Sequence, residues 1–148
     1  MNAIRFLKEN AAVYHIDVAR IAVMGSSAGG GIALTNAIAA DELGFESDYP
    51  NNSAKVQATI STGATLTGDS LVDKSILIFD GNDCPALVFH NGAEDPVTGA
   101  TWQDVLETEK LFDDSGNSCT IVAQPPDTHT VSLALGAKYW DNIKSFLR

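Results

Sequence analysis

Positive charge is scarce in this 148-residue chain: 9 Lys and Arg stand against 19 Asp and Glu, a net charge of -10. Such a surface repels phosphate backbones, so no nucleic-acid partner is expected. The acidic residues are scattered, as in Asp41-Glu42 and Asp113-Asp114, and read as solubilising charge. Long apolar runs are also missing. No stretch approaches the ~20 apolar residues of a membrane span, so no membrane partner is expected. Met1-Asn2-Ala3-Ile4-Arg5 lacks the apolar run and small-residue cleavage site of a signal peptide. Cysteine is limited to Cys84 and Cys119, whose spacing fits no zinc or thioredoxin motif. Each precedes an apolar run that reads as a strand. If those strands are parallel neighbours, both sulfurs lie at the same end of a sheet. Two readings stay open: a disulfide, pointing to an exported protein, or two buried free thiols.

What is present is a globular composition, 45% hydrophobic, in a chain long enough to bury a core. Hydrophobic periodicity alternates between helix and strand. Asn2 to Val13 is expected to be a helix with Ile4, Leu7 and Ala11 on one face. Arg20 to Gly25 is expected to be a strand buried on both faces. Ala28 to Leu43 is an Ala-, Ile- and Leu-rich helix stopped near Gly44. Phe45 to Lys55 is a polar loop. Val56 to Ser61, Ala86 to His90 and Thr120 to Ala123 are further strands, and Ile76 to Phe79 is either a short strand or a turn. Trp102 to Ser115 is a helix with Val105, Leu106 and Phe112 inward. Val131 to Leu147 is a last helix with Leu135, Trp140, Ile143 and Leu147 inward. There is no repeat, low-complexity tract or linker. Strands separated by helices imply right-handed crossovers. The expected fold is a single α/β domain, a three-layer sandwich around a mostly parallel sheet of about four strands.

Three short segments carry chemistry. Gly25-Ser26-Ser27-Ala28-Gly29 matches G-x-S-x-G between an expected strand and an expected helix. A serine hydroxyl is a weak nucleophile and must be lifted clear of the backbone to meet a base and a carbonyl. A tight turn achieves this, and small residues at Gly25, Ala28 and Gly29 relieve its crowding. The turn also places Ser27 at a helix N-terminus, where the Ala28 N–H faces a developing oxyanion. Ser26 and Gly29 flank the nucleophile as candidate substrate contacts. A Walker loop is excluded because Gly30, not Lys, follows Gly29, and the G-x-G-x-x-G spacing of a dinucleotide site is absent. The second segment, His90 to Val97, follows a strand, where open parallel sheets gather their functional groups. Asp95, before Pro96-Val97, is the candidate acid and Glu94 the runner-up. The third, Asp127-Thr128-His129-Thr130, supplies His129 as candidate base. His15 belongs at the opposite end of the sheet. His90 is expected to pack, or to bond to backbone, at its strand end. The order Ser27, Asp95, His129 is that of α/β-hydrolases, and not of chymotrypsin or subtilisin.

Ala3-Ile4-Arg5-Phe6-Leu7, Asn10-Ala11-Ala12, Tyr14, Ile16-Asp17, Arg20-Ile21-Ala22-Val23 and Gly25 to Gly30 resemble carboxylesterases of the hormone-sensitive-lipase and carbohydrate-esterase-like branches of that superfamily. Pro85 to Gly92, with Asp95 and Val97, is similar to their acid-bearing strand and turn. The resemblance implies ester hydrolysis through an acyl-enzyme, with no cofactor and no metal. It also implies that Met1 falls where the family is already mid-domain, leaving a truncated α/β-hydrolase fold. The His-Gly-Gly type loop that supplies part of the family's oxyanion hole has no match here.

An elbow strand that is central in the family would then form an edge, which predicts a homo-oligomer through that edge. The expected activity is hydrolysis of small, short-chain esters. The alternative is a catalytically idle or weakly active half-domain that needs a missing amino-terminal part or an oligomer partner. An acyltransferase or peptidase would share the same acyl-enzyme step.

Overall fold

The computed structural model describes residues 1–41, 47–68 and 83–148. The elements run α1 (Asn2–Glu9), α2 (Ala11–Tyr14), β1 (Ala22–Ser26), α3 (Ala28–Ala39), β2 (Ala58–Thr62), β3 (Ala86–His90), α4 (Trp102–Asp114), β4 (Cys119–Ala123) and α5 (Trp140–Phe146). The four strands form one sheet in the order β1-β2-β3-β4, and every pair is parallel. The ends are level: Ser26 pairs with Thr62, Thr62 with Phe89, and His90 with Ala123. The helix end expected at Leu43 and Gly44, the loop start expected at Phe45, and the segment Ile76 to Phe79 lie outside the described residues.

Alternation along β3 explains the layers. Ala86 and Val88 face a cluster built from Ile4 of α1, Leu34, Ala37 and Ile38 of α3, and Phe112 of α4. Leu87 and Phe89 face the other way, onto Ile60, Tyr139 and Ile143 of the α5 side. The sheet therefore lies between two helical layers, as expected. All five residues of β2 and of β3 are buried. Burying side chains such as Leu87 and Phe89 contributes roughly 1.5–3 kcal/mol each.

Several expectations are corrected. β1 is not buried on both faces: its residues alternate between exposed and half-buried, and Met24 is 45% exposed. The reason is its place at the end of the sheet, where α3 covers only one face. The first helix breaks at Asn10 into two, and its buried residues are Ile4 and Arg5, not Leu7. Arg5 is held there by Asp41, 3.0 Å away. In α4, Leu106 is exposed and Thr108 takes the inward place. Its hydroxyl accepts from the Leu66 N–H and donates to the Asp104 carbonyl. The last helix is only seven residues. Gly136, at φ 79°, interrupts the expected run, and Val131 and Leu133 pack on the second cluster as irregular chain. Leu135, expected inward, is 81% exposed, and Leu147 is also exposed. Cys84 and Cys119 are both buried and free, so they are two thiols and not a disulfide. Burial pushes their thiols up, to about 11 for Cys84 and about 12 for Cys119, which leaves them poor nucleophiles.

Local chemistry sets the ends of α4. The Thr101 hydroxyl accepts from the Asp104 N–H, and the Asp104 carboxylate accepts from the Thr101 N–H at 2.7 Å, a reciprocal capping box. Gly116, at φ 82°, ends the element. Thr101→Ala should lower stability by about 1 kcal/mol. The expected readout is a lower urea midpoint with an unchanged slope.

Candidate active site

Ser27 is the only residue between β1 and α3. Its backbone sits at φ 55°, ψ -127°, a conformation that L-residues rarely adopt. Hydrogen bonds hold it there: its N–H donates to the Thr62 carbonyl at 2.8 Å, and its own carbonyl accepts from Gly30 and Gly31. The crowding of this turn falls on Gly25 and Gly30. A Cβ at Gly25 would lie 2.1 Å from the Gly29 carbonyl oxygen, and one at Gly30 would lie 2.6 Å from the Ser61 hydroxyl. Gly29 is different from what the motif suggests, because a Cβ there meets nothing within 4 Å. What Gly29 contributes to the turn is its backbone, against which Gly25 is pressed. Ser26 and Ala28 are exposed beside the half-buried Ser27.

The candidate acid and the candidate base come together. Asp95 lies on the loop after β3 and is buried, and its two carboxylate oxygens are each 2.9 Å from Nδ1 of His129. Oδ1 also accepts from the N–H groups of Val97 and Thr98, at 2.9 Å each. Burial alone would raise this carboxyl. The hydrogen bonds from His129, Thr98 and Val97 outweigh it and hold Asp95 below its ordinary value. An ionised carboxylate accepts only, so Nδ1 carries the hydrogen and Nε2 presents a lone pair. Nε2 is buried and makes no hydrogen bond, so Ser27 and His129 are not directly bonded. Glu94 is exposed on the same loop.

Three further side chains, Asn91, Thr62 and Gln124, tie the loops together, and the sequence reading assigns a role to none of them. The Asn91 side chain donates to the Thr128 carbonyl at 3.1 Å and accepts from the Ala93 N–H, which ties the acid loop to the His129 loop. Thr62 and Gln124 link β2 to the same loop. Gly63, at φ 71°, lies so close that a Cβ there would be 2.4 Å from the His129 carbonyl oxygen and 2.9 Å from its Cε1. The Asn, Thr and Gln side chains belong to no motif. Only their level at strand ends hints at a role.

Known proteins share this arrangement of strands and helices. The sequence family described as BD-FAE matches residues 1–70. No curated protein matches the chain in sequence. Solved esterases match it in structure. A truncated form of a carbohydrate esterase from gut microbiota is 18% identical at a TM-score of 0.71, covering 98% of this chain and 64% of that one. An acetyl ester-xyloside bifunctional hydrolase from Caldicellulosiruptor lactoaceticus is 18% identical at 0.72, covering 97% and 61%. The Thermogutta terrifontis esterase Est2 with propionate bound is 20% identical at 0.72, covering 98% and 61%. The chain is part of an α/β-hydrolase fold. It spans 61–64% of the length of these three structures.

Within this α/β-hydrolase fold the remaining histidines stand apart. His15 is exposed in a left-handed turn after α2, before β1. His90 is fully buried at the end of β3, 6.2 Å from the Trp102 ring and beside the Ala100 carbonyl. Burial lowers its pKa, against the attraction of Asp95 and Asp104 and the nearby Ala100 carbonyl, while His129 adds to the lowering.

These shifts make stability depend on pH. A buried, neutral His90 stabilises fully above its unfolded value of about 6.5, and that stability is lost as pH falls through the lower folded value. Asp95 acts in the same direction at lower pH: its contribution is full above about 3.9 and disappears as pH falls through its depressed folded value. Melting temperature should therefore drop when pH is lowered from about 7 to 5. In His90→Phe that part of the curve should flatten, while the steeper loss near the carboxylate range remains.

Proposed function

We propose that this chain is a serine esterase acting on short carboxylic esters through an acyl-enzyme, with Ser27 as nucleophile, His129 as base and Asp95 as the acid that orients it. The observation that carries the reading is the Asp95–His129 pair, which engages Nδ1 and leaves Nε2 of His129 unused at the same sheet end as the strained Ser27 turn. In the reaction His129 removes the Ser27 hydroxyl proton as Oγ attacks the ester carbonyl. The oxyanion meets the Ala28 N–H at the start of α3. Collapse expels the alcohol, which takes the proton from His129. Water, deprotonated by His129, then attacks the acyl-Ser27 ester, and His129 returns that proton to Oγ of Ser27 as the acid leaves. Neither a metal nor a cofactor is required by this route.

Ser26 and the open space beside Gly29 would flank the substrate. Short acyl groups are favoured by the relatives: one similar structure is named for acetyl esters and another holds propionate. The purified chain should hydrolyse p-nitrophenyl acetate, and Ser27→Ala should fall to the rate of buffer alone. Undiminished turnover by Ser27→Ala would remove Ser27 as nucleophile.

A second reading has its own support. The chain spans under two thirds of its structural relatives, and His129 Nε2 makes no bond to Ser27. Ala28 is the single oxyanion donor assigned, and lack of one donor costs ~10²–10³ in rate. The triad would then stay idle until an amino-terminal piece or a second copy completes the site. A fluorophosphonate probe separates the readings: labelling at Ser27 in the isolated chain supports an assembled site, and silence supports the idle one.

We also propose that two copies join along β1. That strand ends the sheet, and among the described residues nothing pairs with its outer side. Its Met24 is exposed, as is Ile32 on the adjoining α3. An unpaired strand edge beside apolar surface is a pairing site. Size-exclusion chromatography with light scattering should give a dimer or larger, and Met24→Lys should shift it towards monomer. A stable monomer at micromolar concentration would overturn the pairing.

A further inference from the structure

Thr62, the last residue of β2, is bonded to Ser27 and, at Val131, to the loop that carries His129. Its carbonyl accepts from the Ser27 N–H at 2.8 Å. Its hydroxyl accepts from the Val131 N–H at 2.9 Å and donates to Oε1 of Gln124 at 3.1 Å. Gln124, just past β4, uses the other end of its amide on the same loop. Nε2 donates to the carbonyls of Thr128, at 2.8 Å, and of His129, at 3.1 Å. Its backbone N–H is held by the His90 carbonyl at 2.8 Å. Both residues are buried, Thr62 completely and Gln124 to 4% exposure.

The donor directions are mutually consistent. The Thr62 hydroxyl has one hydrogen, given to Gln124, and spare lone pairs, one of which takes the Val131 N–H. A flipped Gln124 amide would turn its oxygen towards two carbonyls, so the network fixes one orientation. Asn91 and Asp95 hold the same loop from the β3 side, at the Thr128 carbonyl and the His129 ring. Asp127 stands at φ 61°, and Thr128 bonds back to the Pro125 carbonyl. From β2 and the end of β4, Thr62 and Gln124 add backbone contacts at residues 128, 129 and 131.

We propose that Thr62 and Gln124 form a clamp that sets the position of the His129 ring relative to Ser27. Both are positioning residues; neither touches the reacting atoms. The proposal rests on the reading of Ser27, Asp95 and His129 as a triad. The clamp converts strand register into catalytic geometry, because one residue of β2 carries the nucleophile turn on its carbonyl and the base loop on its hydroxyl. A misplacement near 1 Å at such a site costs about 10²-fold in rate.

Thr62→Val removes both hydroxyl bonds but keeps the shape and the carbonyl that holds Ser27. Thr62→Ser restores the hydroxyl, and Gln124→Leu removes the amide. With p-nitrophenyl acetate, Thr62→Val and Gln124→Leu should lose about 10²-fold in kcat with KM within about twofold, and Thr62→Ser should recover most of it. A second measurement needs no turnover: the NMR resonance of the His129 Nδ1 hydrogen, assigned by its loss in His129→Gln. It should shift or broaden in Thr62→Val and Gln124→Leu, and return in Thr62→Ser. Folded Thr62→Val with the wild-type resonance would overturn the clamp, as would an unchanged kcat in a chain that turns over ester. The triad reading fails separately, through Ser27→Ala retaining activity. A lower melting temperature with both readouts unchanged would make the network merely structural and would also overturn the proposal.

Discussion

In-register parallel pairing of four five-residue strands is the constraint on which the rest depends. Because the strands run the same way and end level, every connection that leaves a carboxyl end starts from one rim. Ser27 follows β1 directly, Asp95 lies five residues beyond β3, and His129 lies beyond β4. Residues remote in the chain are thereby brought to one end of the sheet. The same pairing buries β2 and β3 on both faces, so the rim rests on the least deformable part of the molecule.

On that rim the charged chemistry is concentrated in one buried pair. Asp95 is kept ionised in a buried place by two backbone N–H groups and by His129. The carboxylate in turn decides which imidazole nitrogen carries the hydrogen. At the end of β3, His90 is enclosed beside Trp102. The molecule thus holds two histidines in opposite circumstances, one turned to a carboxylate and one desolvated. The same contrast distinguishes the cysteines, which burial renders inert, from the half-exposed serine at the turn.

The elbow shows how strain is maintained. Ser27 adopts a backbone geometry that a side chain disfavours, at a cost of order 1–3 kcal/mol. It is held because Gly25 lets the strand end press on the start of α3, and Gly30 lets that helix close on Ser61 and Thr62. Three successive glycines weaken α3 as an isolated helix. Its burial against β1 and β2 supplies what propensity does not, as the almost fully buried Ala33 to Ala39 stretch indicates.

By itself the sequence determined the alternation of strand and helix and the Ser27 turn, and it singled out Asp95 and His129 as candidates, because each rests on local signals: apolar period, a small-residue motif, a carboxylate or imidazole just past a strand. β3 was legible to the residue, since a continuous apolar run bounded by Pro85 and Asn91 admits little else. Tertiary structure alone decided what depends on neighbours. Among the described residues no layer covers Met24 on β1, and Val131, which its period placed in a helix, instead gives its N–H to the Thr62 hydroxyl. Thr62, Asn91 and Gln124 have no pattern in the chain. Their hydrogen bonds exist because the sheet sets strands far apart in sequence side by side, and periodicity along one strand carries no record of what the next one offers.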